Sequence, residues 1–190
     1  MPPGKIKIDD GAGNYTILTN AGSLGSDKTI TIPNTTGTLA LTSDSFGKVL
    51  QVVTAETTTG TTSTSTTYSD TTLTGSITPS ATSSKVLVLI SQQYNFYATN
   101  TTFIKAGIKL VRTISATDTD LWETSGFTLN SGSGSAAQWG GVLPITILDS
   151  PSTTSSITYK TQQHKETTDT TIITQAESEK STITLIEIGA

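Results

Sequence analysis

The sequence predicts an all-β protein: an antiparallel β-sandwich or jelly roll preceded by an extended N-terminal β arm. Threonine is abundant throughout and dominates residues 54–74. Its β-branched side chain favours extended backbone, and its hydroxyl can line a solvated sheet face. Short segments of alternating polar and apolar residues recur, separated by turn-forming Gly, Pro, Asn and Asp. The 190-residue length suits one compact domain plus an extension.

Residues 1–46 are predicted to form the β arm. Four short strand-like segments occur there, at residues 5–8, 15–18, 29–32 and 37–42. None is long enough to bury a core by itself, and their unpaired edges are liabilities unless a neighbouring subunit covers them. We therefore expect the apolar side chains of the arm to bind a partner. They are Ile6, Ile8, Ile30, Ile32, Leu39 and Leu41.

Residues 47–190 are predicted to form the sandwich. Residues 85–92 are apolar on both faces in their middle, which indicates a central strand. Residues 103–112 fit a helix or a strand, and Gly107 with the β-branched residues favours a strand. Residues 138–148 contain strand material that we expect Gly140, Gly141 and Pro144 to interrupt. The other predicted strands are residues 49–53, 66–73, 75–78, 157–160, 170–174 and 182–188. About eight strands separated by turn signals fit a sandwich or jelly roll.

Composition argues against several classes of partner and chemistry. Charged residues make up 14% of the chain and the net charge is −4, so no basic stripe for nucleic acid and no polybasic membrane anchor is expected. The absence of cysteine excludes disulfides, thiolate catalysis and cysteine-based zinc sites. The longest apolar run, residues 86–90, is far too short to span a bilayer. No signal-peptide pattern follows Met1, so we expect a protein made in a cytoplasm and not exported.

Candidate catalytic and metal-binding residues are few. His164, the only histidine, lies in a polar stretch between strands and is therefore predicted to face solvent. A Ser-His-Asp triad needs a nucleophile and a carboxylate that orients the histidine, and nothing near His164 in the sequence indicates the nucleophile. Asp118, Asp120 and Glu123 could supply oxygen ligands for calcium, but the EF-hand pattern is absent and a solvated loop is the simpler interpretation. The sequence therefore predicts no catalytic site, no metal and no cofactor.

Five aromatic residues offer a different kind of site. They could line a glycan-binding surface, although packing in the core or at a subunit interface is the expected role of most of them. They are Tyr94, Phe96, Tyr97, Trp122 and Trp139.

Several segments resemble a domain found in virion proteins of tailed phages, notably phages of cyanobacteria and other aquatic bacteria. They are GKVLQVV (residues 47–53), the threonine-rich stretch with YSD and LTGSITP (through residue 79), SSKVLVLI (83–90), LDSPSTT to TYK (148–160) and STITLIEI (181–188). Together they cover most of residues 47–190. Residues 28–33 and 37–41 resemble short β-repeats of phage fibre proteins. The resemblance implies a structural role on a particle and brings no catalytic residues.

The sequence thus predicts a non-enzymatic virion protein, made in the cytoplasm of a bacterial host. By analogy with phage decoration and fibre proteins, we expect a homotrimer that binds the major capsid protein or other virion proteins. Capsid decoration, or cement, is the first role predicted. A tail fibre or receptor-binding tip, with a host surface glycan as its partner, is the alternative, and a stand-alone carbohydrate-binding module is a more remote one.

Overall fold

The computed structural model describes residues 5–9, 15–19, 47–98, 103–130 and 136–189. These residues form twelve β-strands and one short 3-10 helix, Ala176–Ser178, which confirms the all-β prediction. The strands are β1 (Lys5–Asp9), β2 (Tyr15–Thr19), β3 (Val49–Thr57), β4 (Thr61–Ser63), β5 (Ser69–Ile77), β6 (Lys85–Ala98), β7 (Phe103–Ile114), β8 (Thr117–Asn130), β9 (Ala137–Asp149), β10 (Ile157–Lys165), β11 (Thr170–Thr174) and β12 (Ser181–Ile188).

The chain divides into two compact units, Met1–Asp44 and Ser45–Ala190. In the first unit, β1 and β2 pair as an antiparallel hairpin. The register places Ile6 opposite Leu18 and Ile8 opposite Thr16. The other arm residues predicted to bind a partner lie outside the described residues. They are Ile30, Ile32, Leu39 and Leu41.

The second unit is an antiparallel sandwich of two sheets, as predicted. The small sheet has the order β5-β10-β7-β8. The large sheet is built around β6, which pairs with β9 along one edge and with β12 and then β11 along the other. β3 extends the sheet beyond β12, and β4 extends it beyond β11. β6 is therefore a central strand, as its apolar pattern predicts.

The glycines and the proline of β9 do not interrupt it. The strand runs unbroken from Ala137 to Asp149, so the predicted interruption is wrong. Among the described residues β6 is the only strand that pairs with β9, so β9 is an edge strand there. Every second backbone N–H of an edge strand points away from the neighbouring strand, and proline is tolerated at such a position because no hydrogen bond is lost. A side chain at Gly140 would crowd β6, because its Cβ would lie 2.9 Å from the carbonyl oxygen of Tyr94 and 2.5 Å from Oδ1 of Asn95.

The core of the sandwich consists of two apolar clusters. The larger joins both sheets at one end and contains Leu73, Ile77, Val86, Val88, Ile90, Leu110, Ile145, Ile157, Tyr159, Ile183 and Leu185. The smaller contains Tyr94, Phe96, Ala98, Ala106, Ile108 and Ile172. Each strand pattern places these residues on alternate positions, as a half-buried strand requires.

Between the two clusters lies a buried belt of polar side chains. Thr71 and Thr161 of the small sheet share a hydrogen bond of 2.6 Å, and Thr161 donates to Oε1 of Gln92 on the large sheet at 2.7 Å. Gln92 and Gln175 both donate to Oγ of Ser181, at 3.2 and 2.7 Å. The belt therefore links the two sheets. The sequence predicts threonine on solvated sheet faces, and the structure also places it in the interior, at Thr71 and Thr161.

Replacing Thr161 with valine should test this belt. Valine keeps the volume but removes the hydroxyl, which leaves Oε1 of buried Gln92 without its donor. We expect the free energy of unfolding to fall by about 1–3 kcal/mol, the cost of an unsatisfied buried polar group. Urea denaturation measures this loss. The control is Thr158→Val, which also removes one hydroxyl from β10, but one whose hydrogen bond to Ser76 is exposed to solvent. Equal losses in the two variants would contradict the role of the belt.

Candidate interaction surface

His164 is packed against its neighbours and does not face solvent. Its side chain is only 14% exposed, so the solvent-facing prediction is wrong. The ring lies 3.9 Å from the ring centre of Tyr68, and its Nδ1 is 3.1 Å from the carbonyl oxygen of Thr66. Both rings lie over Gly107, where a Cβ would be 2.6 Å from Nε2 of His164. A glycine on the neighbouring strand thus creates the space that the histidine fills.

The acidic residues considered as calcium ligands are paired with cations or with Tyr68. They belong to strand β8 and not to a loop. Asp120 binds Lys109 at 2.9 Å, Asp118 binds Lys160 at 3.1 Å, and Glu123 accepts a hydrogen bond from Tyr68. Hydrogen bonds from Thr113 and Lys160 lower the pKa of Asp118. Among the described residues no group of three or more His, Asp or Glu is placed to hold a metal ion.

The aromatic residues do not form one common surface. Tyr94 and Phe96 are buried in the smaller cluster, and Trp139 lies beside them with ring-centre distances of 6.1 and 6.4 Å. Tyr97 projects from the opposite face of β6, where its hydroxyl accepts a hydrogen bond from Gln138. Trp122 packs against the larger core cluster. The expected packing role therefore fits most of them, and these five residues do not together form an aromatic platform for a glycan.

The outer faces of the two sheets differ sharply in chemistry. The small sheet presents a charged ladder, in which Lys160 binds both Asp70 and Asp118 at 3.1 Å and Lys109 binds Asp120. Lys109 also lies 4.6 Å from the ring centre of Tyr68. Such a face is well suited to water, because exposed ion pairs keep most of their hydration.

The large sheet instead presents an apolar row on its outer face. Val52 of β3 lies directly opposite Ile186 of β12, Ile186 opposite Leu87 of β6, and Leu87 opposite Leu148 of β9. Their chain neighbours point into the core, so these four side chains point away from it. Val52 is 57% exposed and Leu148 is 53% exposed. We call these four residues the apolar row.

The apolar row crosses four strands, a width of about 14 Å at the usual strand spacing. Val49 and Leu50 extend the apolar area at the end of β3 and are also exposed. Fully burying a valine or leucine yields about 1.5–3 kcal/mol, so covering the exposed halves of Val52 and Leu148 would together yield about 1.5–3 kcal/mol. Contiguous apolar patches of this kind mark interaction surfaces on soluble proteins.

The apolar row is not predicted from the sequence, although the apolar residues of β6 that contribute to it are visible there. The apolar middle of residues 85–92 predicts a central strand, and no interaction surface is predicted from it. In the structure β6 is central within its sheet, but within the described part of residues 45–190 no second sheet covers the face that carries Leu87 and Leu89. A strand that is apolar on both faces indicates either a middle layer or a docking surface, and only the tertiary arrangement distinguishes them.

Glu187 stiffens the sheet directly beneath the apolar row. Its side chain faces inward and is fully buried, and it accepts hydrogen bonds from Gln51 at 2.6 Å and from the backbone and hydroxyl of Ser80 at 2.7 Å. Burial acts to raise the pKa of Glu187, but these hydrogen bonds outweigh it and lower the pKa to about 2. The carboxylate therefore joins β3 and the loop after β5 to β12.

This carboxylate predicts an acid-dependent loss of stability. Because the pKa of Glu187 is lowered on folding, its stabilisation is complete above the ordinary value of 4.5 and is lost as the pH falls towards about 2. At neutral pH we expect Glu187→Gln to cost about 2 kcal/mol, because charge-assisted hydrogen bonds are lost. Urea denaturation of both proteins should show this difference shrinking below pH 4.5. A difference that stays constant down to pH 2 would contradict the role of the charge.

A shallow depression lies farther along the outer face of the large sheet. It has a volume of about 520 Å³, and Gly140 leaves its floor without a side chain. Hydrogen-bonding side chains of Gln93, Asn95, Gln138 and Glu179 line it. Trp139 also lines it, but period-two alternation places its ring on the other face, with Tyr94.

Comparisons with known proteins give no family. No family model matches the sequence, and no curated protein matches it. No helix among the described residues is long and apolar enough to cross a membrane.

Solved structures that are similar to the chain include several from infectious bursal disease virus. A mutant VP2 protein in derived T=1 particles has 12% identity and a TM-score of 0.36 over 91% of this chain and 42% of its own. The Gx strain structure has 11% identity and a TM-score of 0.34 over 80% and 42%. A VP2 subviral particle has 13% identity and a TM-score of 0.32 over 82% and 42%. The chain spans about two fifths of the length of these proteins, and no functional conclusion follows from similarities this low.

Proposed function

We propose that the protein is a non-enzymatic structural component of a virion, and that it decorates and stabilises a phage head as a trimeric cement protein. The observation that carries the proposal is the apolar row, since an outward-facing apolar band in which Val52 and Leu148 are more than half exposed suits a protein that works by packing against others. The resemblance of residues 47–190 to virion domains of tailed phages supports the same role.

In this role the N-terminal arm attaches the protein to the phage head. Ile6 and Ile8 belong to β1 of the hairpin, where the register places them opposite Leu18 and Thr16 of β2. With Ile30, Ile32, Leu39 and Leu41 they would supply the apolar contacts to the major capsid protein or to another virion protein. The sandwich has its own core and does not need these contacts to fold.

A tail fibre or receptor-binding tip is the second candidate, favoured by the depression over Gly140. Its amide side chains and the carboxylate of Glu179 could hydrogen-bond the hydroxyls of a host surface glycan. The outward-facing side chains that line the depression include no aromatic ring of the kind on which sugars commonly stack. For this reason we rank capsid decoration ahead of the fibre role.

Reconstitution distinguishes the two functions. Purified full-length protein is added to phage heads that lack it, and the temperature at which the heads release DNA is measured. A cement protein should bind the heads and raise this temperature, because it stabilises only the assembled state. Protein truncated to begin at Gly47 should fold but fail to bind, which tests the arm separately. Heads that neither bind the full-length protein nor gain stability would contradict decoration.

A further inference from the structure

Three buried oxygen atoms lie between the two sheets, beside the polar belt. They are Oγ1 of Thr61, Oγ1 of Thr174 and Oε1 of Gln163, and none of them has a hydrogen-bond partner among the described residues. Buried polar atoms of folded proteins nearly always have a partner, either in the protein or in an ordered water. We infer that these three oxygens bind one buried water molecule, which joins the large sheet to the small sheet.

The strand registers bring the three side chains to one place. Thr61 of β4 lies directly opposite Thr174 of β11, and two residues away Ser63 lies opposite Ile172. Ser63 and Ile172 are buried, and side chains two residues apart share one face of a strand, so both threonines face inward. Gln163 of β10 reaches them from the small sheet, because its Nε2 donates to the carbonyl oxygen of Thr61 at 2.8 Å.

The hydrogen-bonding capacity of these groups matches that of one water. The bond from Nε2 fixes the orientation of the Gln163 amide, so its Oε1 is an acceptor that still needs a donor. Each threonine hydroxyl carries a proton to donate. One water can accept from both hydroxyls and donate to Oε1, which gives it about three hydrogen bonds, the usual number for a buried water.

A cation suits the site less well than a water. Gln163 and Thr174 are fully buried, and none of the three oxygens belongs to a charged group that could offset the charge of a cation. Calcium would also need about six or more oxygen ligands. A neutral molecule that both donates and accepts hydrogen bonds is therefore the occupant that these side chains fit.

A high-resolution crystal structure of the full-length protein tests the inference directly. We expect one water within hydrogen-bonding distance of all three oxygens. Side chains that hydrogen-bond one another, with no water between them, would overturn the inference. A cation that gathers further ligands around the same oxygens would overturn it as well.

Substitutions of Thr174 test the same site in solution. Thr174→Val removes the hydroxyl but keeps the side-chain volume, and Thr174→Ser keeps the hydroxyl. Thr171→Val is the matched control, because Thr171 lies on the opposite face of the same strand. Magnetic relaxation dispersion of the water oxygen counts the water molecules that stay bound for longer than the protein takes to tumble.

We expect Thr174→Ser and Thr171→Val to hold as many long-lived waters as the wild type, and Thr174→Val to hold one fewer. A Thr174→Val protein that keeps the wild-type number would contradict a water held by this hydroxyl. If Thr174→Val does not fold, the wild-type crystal structure still decides between a bound water and direct contacts.

Discussion

Replacing Asp149 with alanine is expected to destabilise the sandwich by about 3–5 kcal/mol, the usual cost of removing one partner from a buried ion pair. Asp149 ends β9 in the large sheet and is only 7% exposed. Arg112 of the small sheet binds both of its oxygens, at 2.8 and 3.0 Å, and the hydroxyl of Tyr159 donates to it at 2.7 Å. Without the carboxylate, a largely buried guanidinium has no counter-charge.

Tyr159→Phe is the matched control for this variant. It removes one hydrogen bond to the same carboxylate but leaves the ion pair with Arg112, so about 1 kcal/mol should be lost. Burial and the charge of Asp149 both raise the pKa of Tyr159, so the phenol stays neutral and the comparison holds across the neutral pH range. Urea denaturation measures both variants. A loss for Asp149→Ala no larger than that for Tyr159→Phe would show that the ion pair does not join the sheets.

Truncating Leu185 to alanine should cost about 2–5 kcal/mol. Leu185 is fully buried on β12, where it packs between the sheets and its Cδ1 would lie 3.5 Å from a Cβ at Gly75. The change removes buried methyl groups and leaves a cavity that the paired strands cannot close. Leu50→Ala removes the same atoms from a side chain that is 46% exposed and should cost less than about 1 kcal/mol.

The comparison of these two leucines tests the register of the large sheet. A one-residue shift of β12 would exchange the inward position of Leu185 with the outward position of Ile186 and so remove Ile186 from the apolar row. Thermal or urea unfolding of the two variants decides the matter. Similar losses at Leu185 and Leu50 would contradict the face assignment on which the apolar row depends.

The fold class could be predicted because strand periodicity is a local property. Alternation in residues 157–160 and 182–188 indicates strands wherever they pack, and both occur as β10 and β12. The interruption predicted at Pro144 is wrong because proline disrupts a strand that is paired on both sides but is tolerated in an edge strand. Whether β9 has one neighbouring strand or two depends on the tertiary structure, which the local sequence does not reveal. The solvent-facing prediction for His164 is wrong for a related reason. The space that its ring fills exists only because Gly107 lies opposite it on the adjacent strand.

The interaction surface was harder to predict than the fold. Val52, Ile186, Leu87 and Leu148 are far apart in the sequence and become a row only through the registers of three strand pairs. No local pattern encodes those registers. The buried belt has the same origin, because Thr71, Thr161 and Gln92 resemble any surface residues until the two sheets face each other.

The central claim is that the protein is a structural part of a virion head. Quantitative mass spectrometry of purified particles, separated into heads and tails, tests it most directly. We predict that the protein fractionates with heads, in a copy number that is a multiple of three and comparable to the number of capsomer junctions. Its absence from purified particles would contradict a virion role altogether, and a few copies confined to the tail fraction would contradict decoration in favour of a fibre.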